Sequence, residues 1–376
     1  MKQWIKSASL VASGLTLGSF VFDRYYRKKY SYVRLDEVEV AIEPDKIMLP
    51  PIHWIQENHY NQDMAKYVIP MIYQQMKQYT YMSNDIEFKI NHFTPINSEP
   101  NATVLLLHGF REFKEVYSEI IYYLLQLKFE VFIYDHRGHG EARVPLDSQI
   151  EIEDFELYAD DAVNITKNVV IPNKNTDHLV MFAHSMGGLI GLNLLEKHTE
   201  LFDGAILNSP ELLLNSGELP PLFAFFLIEF VSKFDTKNEL ILSEAILEDS
   251  RFKYLVKDII LSRSNIRREF IYNLGVELYG NASQAGSIKW VSNSFKTMAD
   301  VVTPTSLDKA DLPIMLIRSE QDDLIHSAGI YTAAHYLPES KLYYVPEGRH
   351  ENLLDKDRPL YALIAKVYQN IQMMIK

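Results

Sequence analysis

Cysteine is absent from this chain of 376 residues. That excludes disulfides, thiolate metal sites, a cysteine nucleophile and a lipid-modified N-terminal cysteine. Positive charge is in deficit: 37 Lys and Arg stand against 50 Asp and Glu, a net charge of −13. After residue 34 there is no dense Lys/Arg block, so the clustered cations that phosphates require are missing and no nucleic-acid partner is expected. Internal repeats and low-complexity tracts are absent as well. What remains is an ordinary globular composition, 47% hydrophobic and 23% charged, at a length that allows one large domain with an insertion or two domains.

The N-terminus is the exception to that ordinary composition. Lys2 and Lys6 precede an uncharged stretch, Ser7 to Phe22, and Asp23 then leads into Arg24, Arg27, Lys28 and Lys29. As a helix the stretch would span about 24 Å, a little less than a hydrocarbon core of ~30 Å. Trp4, Tyr25 and Tyr26 stand where interfacial aromatics anchor the ends of a span. No small-x-small cleavage site ends the run and strong positive charge follows it, which argues against a signal peptide. The expectation is a single membrane-anchor helix within residues 1–30. The heavier basic side after it puts the rest of the chain in the cytoplasm. Gly14 and Gly18 form a GxxxG pair, but so short a span does not make it a dimer face. Nothing in the sequence sets an oligomeric state.

Residues 31–85 read as a mixed extension. Asp36, Glu37, Glu39, Glu43 and Asp45 suggest a solvated acidic face, and Pro44, Pro50 and Pro51 interrupt any helix there. "DMAKYVIPMIYQQMKQY" has helical character with a break before Pro70. From residue 86 a rhythm begins. "IEFKINHF" alternates like an exposed-edge strand, whereas "TVLLLHG" is a continuous apolar run suited to a buried strand, "FEVFIYD" reads as another buried strand and "LVMFAHS" as a further strand. "GAILNSP", "PIMLIRSEQDD" and "KLYYVPEGRH" supply three more. Helical segments such as "EVYSEIIYYLLQL", "DFELYADDAVNITKNVV" and "MGGLIGLNLLEKH" alternate with them, and the chain ends in a helix. This pattern predicts an α/β fold, a mostly parallel sheet flanked by helices. From Glu211 through Asp311 run 101 residues without a clear strand. So long a structureless loop is improbable in a compact domain, so a helical cap or lid is expected there. The implied division is an anchor at 1–30, the extension at 31–85, a core in two parts at 86–210 and 312–376, and the cap at 211–311.

The chemistry concentrates where strands end. In "LVMFAHSMGGLI" a polar Ser185 breaks an apolar run between strand and helix, which is costly unless the hydroxyl has a use. Ala183-His184-Ser185-Met186-Gly187 is close to the G-x-S-x-G nucleophile elbow, where the flanking positions must be small. A serine nucleophile needs a base, and the base an orienting acid. Asp322 and Asp323 follow one late strand and His350 follows the last, in the chain order serine, acid, histidine. Either aspartate fits; Glu320 and Glu347 are weaker acids, and His326 and His335 weaker bases. An oxyanion hole needs two aimed N–H donors, which Met186 and Phe110, in the loop after "LLLHG", would supply. In "YDHRGHGEAR", His136 and His139 could be read as a metal pair. No third ligand lies nearby, so a structural loop beside the site is the better reading.

Taken together, "LLLHGF", "DHRGHG", "AHSMGG", the aspartate after a late strand and "EGRHEN" resemble the α/β-hydrolase superfamily. More narrowly they resemble the monoacylglycerol lipase and bacterial inner-membrane lysophospholipase group of serine aminopeptidase-type hydrolases. The likeness spans about residues 86–210 and 312–376. It implies Ser185 as nucleophile, Asp322 as acid, His350 as base, and Phe110 and Met186 as oxyanion donors. Ala183 in place of glycine matches the lysophospholipase branch. The expected activity is serine ester hydrolysis of single-chain lipids, with a lipid or other acyl ester as partner and no metal or cofactor. A peptidase or small-ester hydrolase on the same fold is the enzymatic alternative, and a non-catalytic lipid-binding membrane protein the other. "LPPLFAFFLIEFVSKF", with five phenylalanines, reads either as a lid helix packed on the core or as an acyl-tunnel wall or membrane-facing surface.

Overall fold

Strands that are apolar at every position belong inside a sheet covered on both faces, and the computed structural model places them there. It describes residues 39–43, 49–83, 86–143, 149–216, 221–234, 261–280 and 286–376. The expected anchor at 1–30 lies outside the described residues, among which no helix is long and apolar enough to cross a membrane. Nine strands form one sheet: β1 (Glu39–Ala41), β2 (Met76–Ser83), β3 (Ile86–Phe93), β4 (Ala102–Leu107), β5 (Phe129–Tyr134), β6 (Leu179–His184), β7 (Gly204–Asn208), β8 (Ile314–Ser319) and β9 (Ser340–Val345). Their order is β1-β9-β8-β7-β6-β4-β5-β3-β2. Pairing is parallel from β1 through β5 and antiparallel only where β3 meets β5 and β2 meets β3.

Alternate residues of each strand serve two separate cores. Leu105, Leu107, Met181, Ala183, Leu207 and Leu316 point to one face, under helices α2 (Glu156–Ile165), α3 (Met186–Leu195), α6 (Ile288–Val301) and α7 (Ser327–Tyr336). Val104, Leu106, Val180, Phe182, Ile206 and Ile317 point to the other, under α1 (Ser118–Gln126) and α8 (Asp357–Met374). Between β7 and β8 the described residues are helical: α4 (Pro221–Phe234), α5 (Asn265–Tyr279), α6 and the short helix Pro304–Leu307.

Three expectations about the extension need correction. The helix does not break before Pro70. A π turn at Met64–Val68 leads directly into the helix Ile69–Gln75, absorbing the hydrogen bond that proline cannot make. The "MKQY" that closes the expected helix is instead the start of β2, so β3 is an interior strand: Phe88, Ile90, Asn91, His92 and Phe93 are buried, and β2 is the sheet edge. At the opposite edge Glu39 is not part of a solvated face. It pairs with Arg318 of β8 at 2.5 Å and accepts a hydrogen bond from Tyr331 of α7, while β1 itself pairs with β9.

One buried charge ties these parts together. The Arg267 side chain on α5 is fully buried and meets Glu119 of α1 through two hydrogen bonds of 2.9 Å. It also reaches Asp357 at 3.0 Å and donates to the carbonyls of Ile55 and Asp355. Removing one partner of such a group leaves the other buried and uncompensated. Arg267→Leu should therefore lower stability by about 3–5 kcal/mol in urea unfolding, and Arg267→Leu with Glu119→Leu should recover part of that. A loss comparable to that of an exposed arginine would show that the pair is not holding α5.

Candidate active site

The backbone at Ser185 sits at φ 51° and ψ −118°, a left-handed setting that a side chain occupies only when its surroundings enforce it. Here they do. Ser185 N–H donates to the Asn208 carbonyl at 3.0 Å, and its own carbonyl accepts from Gly188 and Glu211 at 2.9 Å each. Two residues on, a Cβ at Gly187 would fall 2.3 Å from the Leu107 carbonyl oxygen, so only glycine allows α3 to leave β6 so close to β4. The result is a serine lifted out of the strand at the N-terminus of α3.

The structure brings the three distant side chains together. His350 Nε2 lies 2.8 Å from Ser185 Oγ, and His350 Nδ1 lies 2.8 Å from Asp322 Oδ2. The other Asp322 oxygen accepts the Leu324 and Ile325 N–H groups, both at 2.9 Å, so the carboxylate is fixed by its own turn. Asp323 points elsewhere and pairs with Arg349 at 2.8 Å. The weaker alternatives are also engaged away from Ser185: Glu320 accepts the Glu347 N–H, Glu347 reaches Arg263, the His326 ring accepts the Ala328 N–H, and His335 packs on Tyr336. Burial works against a charged His350, but the Asp322 carboxylate wins and raises its pKa above 6.5. Such an arrangement can take a proton from a serine and hold it on the imidazole.

Phe110 and Met186 flank the serine, one following Gly109 and the other opening α3. Among the described residues neither N–H has a protein acceptor, which leaves both available to a substrate oxygen. The ring of Phe110 stacks on Trp290 of α6 with centroids 3.9 Å apart, so α6 sets aromatic surface against the loop whose Gly109 adjoins Ser185. Phe225 of α4 continues that surface against Phe295. His136 and His139 sit in the adjoining loop, buried beside His108. Burial holds His139 down to about 3 and His108 to about 4, so this cluster is neutral.

Sequence reasoning missed a second layer of charge. His184, next to Ser185, lies 3.2 Å from Glu351, next to His350. Burial would lower His184, yet the Glu351 charge raises it to about 9; burial would raise Glu351, yet His184 lowers it to about 2. Glu112 accepts the Gly109 N–H at 2.5 Å and the Tyr117 hydroxyl at 2.8 Å, and burial, with Glu351 nearby, pushes it up to about 7. Glu211, whose N–H holds the Ser185 carbonyl, is likewise pushed by burial to about 7. The signal was present as charged residues embedded in "HGFRE" and "GRHEN", but their partners lie far apart along the chain.

A nine-stranded, mostly parallel sheet with a strained serine, a histidine and an aspartate at its C-terminal rim defines a serine ester hydrolase of the α/β-hydrolase fold. Residues 98–357 match the family described as serine aminopeptidase, S33, and the chain belongs to it. It is similar to a probable lysophospholipase L2 of Haemophilus influenzae, 22% identical over 85% of this chain and 99% of that protein. It is also similar to the monoglyceride lipase of Rattus norvegicus, 24% identical over 69% of this chain and 78% of that protein. Among solved structures, a soluble variant of the Saccharomyces cerevisiae monoglyceride lipase, bound to a substrate analogue, shares the fold with a TM-score of 0.61 at 19% identity. That match covers 80% of this chain and 96% of the other.

The His184–Glu351 pair has a definite pH signature. His184 rises from 6.5 to about 9 on folding, so its contribution is complete below 6.5 and lost as pH climbs through about 9. Glu351 falls from 4.5 to about 2, so its contribution is lost only as pH drops toward 2. Between pH 6.5 and 9 the wild type should lose stability, and Glu351→Gln should lose less over that interval. Parallel stability curves for the two proteins would contradict the pairing.

Proposed function

We propose that the chain cleaves the acyl ester of single-chain lipids, lysophospholipids or monoacylglycerols, through an acyl-enzyme on Ser185. The observation that carries this is the continuous hydrogen-bonded link Ser185–His350–Asp322, with 2.8 Å at each step. His350 takes the Ser185 proton as Oγ attacks the ester carbonyl, and Asp322 stabilises the imidazolium. The Phe110 and Met186 N–H groups hold the oxyanion. On collapse the acyl–oxygen bond breaks and His350 returns its proton to the departing alcohol. Water, deprotonated by the same imidazole, then attacks the acyl-serine, releasing the fatty acid and restoring the hydroxyl. The lipid class is supported by the phenylalanine-rich α4 and the Phe110–Trp290 wall, and by what the similar proteins are named for. Membrane attachment through Ser7–Phe22 remains part of this reading and rests on the sequence alone.

A peptidase reading follows from the family's description. Turnover of a panel of lysolipid, glyceride, aryl-ester and aminoacyl substrates, followed by mass spectrometry, separates the two. Lipid esters should dominate; preferential release of N-terminal residues would favour the peptidase.

Two variants test the roles. Ser185→Ala should lose fluorophosphonate labelling and lower ester turnover by at least ~10³-fold; retained labelling would remove Ser185 from the mechanism. For a soluble short-chain ester, kcat/KM should rise with pH along a limb centred above 6.5, because the base must be neutral and Asp322 raises its pKa. Asp322→Asn should move that limb to lower pH and reduce kcat by roughly 10³–10⁴-fold. An unmoved limb would mean that Asp322 does not act on His350.

A further inference from the structure

The loop from Gly109 to Glu112 separates two unlike surroundings. On one side the Phe110 ring stacks on Trp290 in an aromatic wall that Phe155 and Phe295 extend. On the other, Arg111 lines a groove of about 450 Å³ in which Glu112, Arg268, Glu269 and Glu351 stand among apolar side chains such as Phe113 and Leu354. The loop itself passes Ser185, since a Cβ on Gly109 would lie 3.2 Å from the Ser185 Cβ, and Glu351 of the groove directly follows His350 in the chain. An ester has the same two-sidedness, with an acyl chain on one side of the carbonyl and an alcohol on the other.

The groove's charges are unusual for so acidic a protein. Among the described residues, neither the Arg111 nor the Arg268 guanidinium has an ion pair or hydrogen bond, while Arg137, Arg263, Arg267, Arg318 and Arg349 all do. Arg111 also sits at φ 64°, a setting glycine would take without strain, so a long cation is kept there against a backbone cost. Partial desolvation lowers its pKa. Arg268 is the neighbour of Arg267, whose buried contacts hold this end of α5 in place. Two forked donors facing one groove suit a phosphate, which accepts from guanidinium in pairs. The floor carboxylates are occupied, Glu112 by the Gly109 amide and Glu351 by His184. Glu269 on the rim is exposed and can face an ammonium group.

We propose that this groove is the headgroup subsite of a lysophospholipid, with the phosphodiester on Arg111 and Arg268 and the acyl chain across the loop along Phe110 and Trp290. The inference rests on the ester-hydrolase reading above and narrows it: the alcohol released is a glycerophospho-alcohol rather than glycerol.

The test measures binding in the full-length Ser185→Ala protein, so that it does not depend on turnover. The probes are an octyl ether analogue of lysophosphatidylcholine and 1-O-octylglycerol, both below their micellar concentrations, with glycerophosphocholine and inorganic phosphate as chain-free controls. Calorimetry should give the phosphate-bearing ether an affinity at least about tenfold above the alkylglycerol. Arg268→Gln and Arg111→Gln should each reduce that ratio about fivefold or more, with thermal unfolding confirming that each variant is folded. Three results would overturn the subsite: equal affinities in the parent, parallel losses for both ethers in the variants, or chain-free phosphate binding as tightly as the lipid analogue, which marks a free-anion site. Failure of the wild type to cleave any lipid ester would instead sink the hydrolase reading.

Discussion

The site depends on how tightly one turn is held. Ser185 occupies a backbone setting that nothing local favours, and it stays there because Asn208, Gly188 and Glu211 hold its peptide groups while Gly187 lies against the Leu107 carbonyl. That clamp aims the hydroxyl at His350. If α3 were displaced by even one methyl group at residue 187, the distance to the imidazole could not stay at 2.8 Å. The strain is thus stored by the sheet, since β7 contributes the Asn208 carbonyl to the turn and β4 the Leu107 carbonyl to its contact.

Around this point buried polar groups are joined in networks. Asn208 donates to Asn352 at 2.6 Å, Asn352 donates to Ser319 at 2.9 Å, and Ser319 meets Ser209 at 3.1 Å, linking the ends of β7 and β8 to the loop that carries His350. The His184–Glu351 pair fastens the residue before the serine to the residue after the histidine. Glu112 holds the Gly109 amide and so fixes the loop from which Phe110 would donate. These links are networks rather than isolated pairs, which is the condition under which buried polarity rigidifies a site. They hold both ends of the Ser185–His350 hydrogen bond against the sheet.

Much of this was legible in the sequence, for identifiable reasons. β4, β5 and β6 announce themselves because a strand buried on both faces is apolar at most positions, and Ser185 stands out because it interrupts such a run. Asp322 and His350 stand out by their places at strand ends, though the neighbouring Asp323 has the same local credentials; the fold separates the two, turning Asp322 to His350 and Asp323 to Arg349. The edges were not legible. β1 is three residues long and pairs with β9 some 300 positions away, as in Glu39 with Leu342, and no local pattern encodes that. β2 alternates like a strand, but its first residues follow a helix without a break. Pro70 signals an interruption that the π turn removes. Arg267 looks like one charge among several on α5, and its burial depends on Glu119, which is 148 positions earlier.

In the proposed reaction the two sides of the Gly109–Glu112 loop divide the work: aromatic surface for a chain, paired cations for a headgroup, and the clamped serine between them. All of it requires that Ser185 itself become acylated. The most direct measurement is an acid-quenched reaction of the wild-type protein with a slow-turnover lipid ester, followed by peptide mass mapping. The account predicts a mass increase equal to the acyl group on the peptide containing Ser185, absent in Ser185→Ala. An adduct on another residue, or rapid product formation with Ser185 unmodified at every time point, would contradict it.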